Sequence, residues 1–253
     1  MSVSLLRFQD FFLVLTRTLA ILAAVPMLGG RVIPNRVRVG LGVLISMAII
    51  PWSPIPTGDA AEPFASFLLN IGRELMVGVI AALAVRFAFN TIEMAASLMS
   101  QSSGFTSGAV LNPTLENSGT AFDQFYTLMA MLIFLSLDGH HQILRAIART
   151  FELVPLRSFA LGAATQERLL QLSAGVLLSA VQMALPLMAT MLIVEAAFAL
   201  MVRVAPQINV FFLGEPVKAG LGVVTLSLVL PILLPSLINL FNAMPINLIH
   251  LIK

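Results

Sequence analysis

Leu169–Val194, LLQLSAGVLLSAVQMALPLMATMLIV, contains no charged residue. A helix needs about 20 apolar residues to cross a ~30 Å hydrocarbon core, and this stretch is longer than that. A second stretch, Ala219–Ile252, also lacks Asp, Glu, Lys and Arg, and its only titratable group is His250. Neither shows the period-two alternation of a half-buried strand. Together they predict an all-α chain whose long apolar helices belong in lipid, in other apolar protein, or in both.

Away from these two stretches the apolar windows are shorter. Thr18–Gly30 is bounded by arginines and Val39–Ile50 stops at Pro51. Leu75–Val85 lies between Glu74 and Arg86, and Gln124–Leu137 between Asp123 and Asp138. Windows of that length reach only about 20 Å as helix. Pro186 in the first long stretch and Pro231, Pro235 and Pro245 in the second predict further interruptions. The chain holds 17 Phe but one Trp and one Tyr, too few for the aromatic belts that anchor ordinary spans. Helices packed largely against other subunits are therefore expected, in preference to a conventional bundle of full-length spans.

Composition sets the wider limits. Of 253 residues, 58% are hydrophobic and 10% charged, against about 25% charged in a soluble domain. The chain cannot cover itself with polar groups in water, and it is far too apolar for disorder. Fourteen basic against twelve acidic residues, without a basic cluster, exclude a nucleic-acid surface. The absence of cysteine removes disulfides and thiolate chemistry. Phe11–Leu28 is preceded by Asp10 and broken by Arg17, so it is expected to be retained and not cleaved as a signal peptide.

Punctuation divides the chain into helices over about Leu5–Leu28, Val39–Ile50 and Phe64–Ser100. A basic turn, Gly29–Arg38, and an extended Pro51–Pro56 run separate them. Thr120 with Asp123 has the pattern of a capping box, opening a helix to Leu137. A break at Gly139 leads to His140–Glu152, Thr165 starts a helix to Val202, and a turn is expected over Ala205–Pro216 before the last apolar region. With no linker or repeat, residues 1–253 read as one domain.

Arg86, Asn90, Glu93, Ser97, Ser100 and Gln101 share one face of the third helix at about 100° per residue. Such a stripe either walls an aqueous path or is a face solvated or paired at the membrane edge. It runs into the loop Gly104–Gly119, whose Phe105, Val110, Leu111 and Leu115 want cover and whose Gly104 and Gly108 permit bending. Irregular backbone at membrane depth survives only inside protein or lining a cavity, so the loop is either a constriction or an ordinary surface loop. Arg17, Glu74, Arg86, Glu93 and Glu195 stand alone in apolar segments; ion pairs at protein–protein contacts account for them more simply than a proton relay. His140 and His141 point about 100° apart on a helix, and no metal site is expected there. No nucleophile elbow, phosphate loop or HExxH is present, so neither enzyme activity nor a cofactor is expected.

Three motifs then carry a resemblance: Val32-Ile-Pro-Asn-Arg-Val-Arg-Val-Gly-Leu41, Asp138-Gly-His-His141, and Arg203-Val-Ala-Pro-Gln-Ile-Asn-Val-Phe-Phe-Leu-Gly-Glu-Pro-Val-Lys218. In order and spacing the chain resembles the R-type subunit of the flagellar export gate, the FliR family, whose injectisome counterparts are the SctT proteins. Glu215 departs from the family, which usually has an apolar residue there. The resemblance implies a hydrophobic helical-hairpin subunit, classed as multi-pass, that assembles with P- and Q-type subunits and other export membrane proteins. The assembly is a conduit for unfolded flagellar proteins in the inner membrane at the flagellar basal body, in contact with lipid and without nucleic acid. It further implies that the loop containing Gly104, Phe105, Gly108, Val110, Leu111, Asn112, Pro113 and Leu115 helps to close the pore. Subunit contacts are implied for Pro34, Arg36, Arg38, Gly139, His140, His141, Pro206, Gln207, Asn209, Phe211, Gly214, Pro216 and Lys218. An injectisome gate subunit is the nearest alternative, and a stand-alone secondary transporter a more distant one.

Overall fold

In the computed structural model the described residues are 5–26, 33–52, 63–105, 119–159, 162–207 and 210–252. They form α1 (Leu5–Leu22), α2 (Asn35–Ile49), a 3₁₀ turn (Ile50–Trp52), α3 (Phe64–Ser102), α4 (Ala121–Ser136), α5 (Gly139–Leu153), α6 (Ala163–Val204) and α7 (Val210–Ile252). No strand occurs among the described residues, as the sequence predicts.

Several boundaries differ from the expectation, each for a local reason. Helix α2 opens at Asn35, not Val39, because Pro34 with φ −57° and ψ 141° caps it. Of the expected extended run Pro51–Pro56, Pro51 and Trp52 instead lie in a 3₁₀ turn, which the fixed φ of proline suits; residues 53–56 lie outside the described residues. The expected Ala205–Pro216 turn ends at Val210, so Gly214 and Pro216 lie inside α7. Pro186 likewise lies within α6, and Pro231, Pro235 and Pro245 within α7. In apolar surroundings only the helix satisfies the remaining backbone groups, so each proline removes one bond without ending its helix.

Length was also underread. Helix α3, though interrupted by Glu74, Arg86 and Glu93, is long and apolar enough to cross a membrane, as are Ala164–Val204 and Gly214–Ile252. The three differ in cover: in the most apolar window of α3 61% is buried, against 11% in that of α6. Leu170, Leu177, Leu185, Leu192 and Leu200 of α6 are all exposed. A row of this size does not face water in a stable protein.

The residues form two compact units. The first draws on Met1–Phe89, Asp138–Ser173 and Asn242–Lys253, the second on Asn90–Leu137 and Ala174–Phe241. In the first, Leu13, Val14, Ile21, Val77, Ala81, Val85, Ile147 and Phe151 are fully or almost fully buried. Helices α1 and α3 cross closely at Gly78, where an added Cβ would lie 2.5 Å from the Ala20 side chain and 2.9 Å from the Arg17 carbonyl oxygen.

Charge also fastens this unit. Arg17, wholly buried, places Nε 2.7 Å and Nη2 2.5 Å from Glu74 Oε2. Its Nη1 donates to the carbonyls of Thr150 and Val154 at 3.0 and 2.8 Å, and its guanidinium carbon lies 4.4 Å from the centre of the Phe151 ring. Glu74 Oε1 accepts from the Arg157 backbone N–H at 2.9 Å, and Arg157 Nη2 lies 2.5 Å from Asp10 Oδ1. Arg157 holds φ at +71°, a conformation disfavoured for a side chain with Cβ. Burial lowers the Arg17 pKa, and the neighbouring Glu74 carboxylate offsets only part of that shift. The expectation that isolated charges pair at protein–protein contacts is thus corrected for Arg17 and Glu74, which pair within the chain.

In the second unit Phe122, Tyr126, Ala130 and Phe134 recur every fourth residue of α4 and are all buried. Phe134 meets Phe241 with ring centres 5.2 Å apart. Ala180, Ala184, Leu187 and Met191 of α6 and Leu233 and Leu237 of α7 are buried in the same unit. Fully burying one such large side chain contributes about 1.5–3 kcal/mol.

Candidate closure site at the end of the third helix

Within the second unit, the end of α3 meets the beginnings of α4 and α7. Helix α3 ends in a Schellman turn. Gly104 takes the left-handed conformation at φ +76°, its N–H reaches the Gln101 carbonyl at 3.3 Å, and the Phe105 N–H reaches the Ser100 carbonyl at 3.2 Å. The turn needs glycine at that position. Ser103 Oγ donates back to the Met99 carbonyl at 2.7 Å.

The other end of the loop is equally well fixed. Thr120 Oγ1 accepts from the Asp123 N–H at 3.1 Å, while Asp123 Oδ2 accepts from the Thr120 N–H at 2.8 Å. This is the capping box read from the sequence. The two ends also touch one another: the Ser100 and Thr120 hydroxyls are 2.7 Å apart, and the Phe105 and Phe122 rings are 5.2 Å between centres. The described residues on either side of 106–118 therefore share one base. Beside it is an apolar cavity of ≈ 320 Å³ lined by Phe105, Phe122, Phe125, Val223, Leu226 and Leu230, among others.

Helix α7 closes against the same base. An added Cβ on Gly222 would lie 2.7 Å from Ser103 Cβ, and one on Gly104 2.6 Å from Glu215 Oε2 and 3.6 Å from Lys218 Cβ. Lys218 Nζ lies 3.2 Å from Glu195 Oε1 and 3.9 Å from Glu215 Oε1. Two carboxylates, from α6 and α7, thus flank one ammonium group at the foot of the loop.

Of the residues picked from sequence, the structure brings Gly104, Phe105 and Lys218 together. Gly108, Val110, Leu111, Asn112, Pro113 and Leu115 lie outside the described residues, as does Asn209, and so does the side chain of Phe211. On the stripe, Arg86, Asn90, Glu93 and Gln101 are exposed and Ser97 is half-buried. Ser100 differs: it is wholly buried and turned to Thr120. Arg36 of α2 is exposed and Arg38 half-buried; Pro206, Gln207 and Pro216 are exposed, whereas Gly214 is buried.

In the first unit Gly139 is buried, while His140 and His141 are exposed with ring centres 4.2 Å apart, closer than their position on a helix suggests. Asp138, at φ +54°, makes no side-chain capping bond, and its carboxylate sits 3.4 Å from His141 Nδ1.

Glu195 and Gly222 were not selected from sequence as parts of this site. Glu195 read as an isolated charge because its partner lies beyond a helix break. Gly222 carried a usable signal, since glycine inside a helix costs stability unless close packing demands it.

The described residues thus define an all-α fold in which three helices are long and apolar enough to span a membrane, with a braced loop base in the second unit. Residues 8–244 match the family described as Bacterial export proteins, family 1. Flagellar biosynthetic protein FliR of Aquifex aeolicus (strain VF5) is 31% identical, covering 89% of this chain and 87% of its own. FliR of Pectobacterium carotovorum subsp. carotovorum is 29% identical, over 92% and 89%. FliR of Escherichia coli (strain K12) is 26% identical, over 92% and 88%. The chain belongs to this export family, in its FliR branch.

Proposed function

We propose that the chain is one subunit of the flagellar type III export gate, and that it helps both to build and to close the inner-membrane conduit for unfolded flagellar proteins. The observation that carries the closing role is the common base of residues 106–118. The residues that flank the segment are capped and bonded to one another, and the turn Ser103–Phe105 packs on α7, so the segment starts and ends at one base. In this reading Val110, Leu111 and Leu115 obstruct the conduit, while Asn90, Glu93, Ser97 and Gln101 face its lumen or a neighbouring subunit.

P- and Q-type subunits are the partners of this reading. It is supported by the uncovered apolar length of α6, which lipid or helices of other subunits would cover. Residues 1–253 are taken as a single subunit in this reading. The motif residues Pro34, Arg36, Arg38, Pro206, Gln207 and Pro216 are then positions of subunit contact.

Co-expression tests the assignment. The chain should be stable only when made with P- and Q-type partners and should co-purify with them. A monomer that is stable alone and carries a solute across liposomes would instead make it a secondary transporter, with its site at broken helices near midplane.

A further inference from the structure

The structure gives the Glu215 carboxylate a defined place beside the end of α3. Gly104, which has no Cβ, leaves the space beside Glu215 Oε2. Glu215 in turn flanks Lys218, whose ammonium also meets Glu195 on α6. The lysine side chain is 18% exposed and Glu215 26%, whereas Glu195 is 49% exposed, so the Lys218–Glu215 contact is partly shielded from solvent and salt and the Lys218–Glu195 pair is weakened by both. Directly above it, Ser103 fills the space that a side chain on Gly222 would need.

We propose that Glu195, Lys218 and Glu215 form an intrasubunit electrostatic latch that holds the turn Ser103–Phe105 down on α7. These are positioning residues: none of them obstructs the conduit, and each acts through the stem from which residues 106–118 depart. Lys218 ties α6 to α7 through Glu195, and the alkyl part of Lys218 together with Glu215 forms the floor on which Gly104 rests. Loss of the central cation removes the group that both carboxylates approach and unties α6 from α7 beneath the turn. The stem is then free to lift from α7. The inference rests on the closure reading for its consequence, but the latch itself is defined by residues outside the loop.

Because the chain has no cysteine, a single Ser103→Cys reports the state of the turn. In the assembled gate, its labelling rate with a maleimide is measured in four backgrounds: wild type, Lys218→Glu, Glu195→Lys, and the two substitutions together. Ser103 is wholly buried, so labelling should be slow in the wild type. Lys218→Glu should accelerate it about fivefold, the change that a part-exposed ion pair supports. The double exchange should return the rate to near wild type, which also shows that the faster labelling is not misfolding. Unchanged labelling in Lys218→Glu, or no recovery in the double exchange, overturns the latch. Resting conductance of the same samples separates the two ideas. If labelling follows charge while conductance stays flat, the latch stands and the closure role of the loop fails.

Discussion

Replacing Glu74 by alanine removes the carboxylate that pairs with the buried Arg17 in the first unit. Arg17 is wholly buried, and Glu74 Oε2 is its only carboxylate partner in the described residues, at 2.5–2.7 Å. Removing one partner from a buried pair costs about 3–5 kcal/mol, because the other charge remains without compensation. Here two carbonyls and the face of Phe151 still solvate the guanidinium, which favours the lower part of that range. Against this, the Arg157 N–H also loses its acceptor, and a buried unpaired donor costs about 1–3 kcal/mol. The expected loss is thus about 4 kcal/mol, a large share of the ~5–15 kcal/mol that holds a domain together.

Replacing both charges, as Arg17→Met with Glu74→Leu, removes the desolvation cost with the attraction. That double variant should lose markedly less than Glu74→Ala alone, since apolar replacements of buried pairs are often close to neutral. Thermal unfolding of the purified gate complex, together with the amount of subunit incorporated, provides the measure. A single variant within about 0.5 kcal/mol of wild type, the range of ordinary surface substitutions, would refute the reasoning. A double variant worse than the single would do the same.

Other substitutions should follow the local geometry. Gly104→Ala should destabilise by about 1–2 kcal/mol because a left-handed residue acquires Cβ, and Gly104→Asn should do less harm; unfolding of the complex separates the two. Thr120→Ala should cost about 1 kcal/mol, the worth of an N-cap, with Thr120→Ser near wild type by the same measurement. Gly78→Ala should cost about 1–3 kcal/mol, as overpacking does, because the added methyl would meet the Arg17 backbone. Gly40→Ala, with nothing within 4 Å of the added Cβ, should instead leave α2 unchanged or stabilise it by about 0.5–1 kcal/mol.

Much of the architecture was legible because apolar solvent simplifies the choices. Two uncharged stretches specified helix, and Thr120 with Asp123 specified the start of α4. The reading failed where it treated proline and charge as interruptions. Pro216 lies within α7 and Glu74 within α3, because in that setting the helix is retained and the odd group finds a local answer. Glu74 finds Arg17, 57 positions away in sequence, a pairing that no spacing rule supplies. The loop was visible as a candidate from its composition, but its bracing was not. Gly222, Glu195 and Lys218 reach the stem of α3 only through the packing of α6 and α7, which hydrophobic periodicity does not specify.

The most direct test of the central claim is the resting conductance of the assembled gate in a planar bilayer, with and without residues 106–118. The account predicts a tight wild-type gate and a persistent ion leak in the deletion at equal subunit incorporation. Equal, low conductance in both would contradict it and remove the loop from the closure.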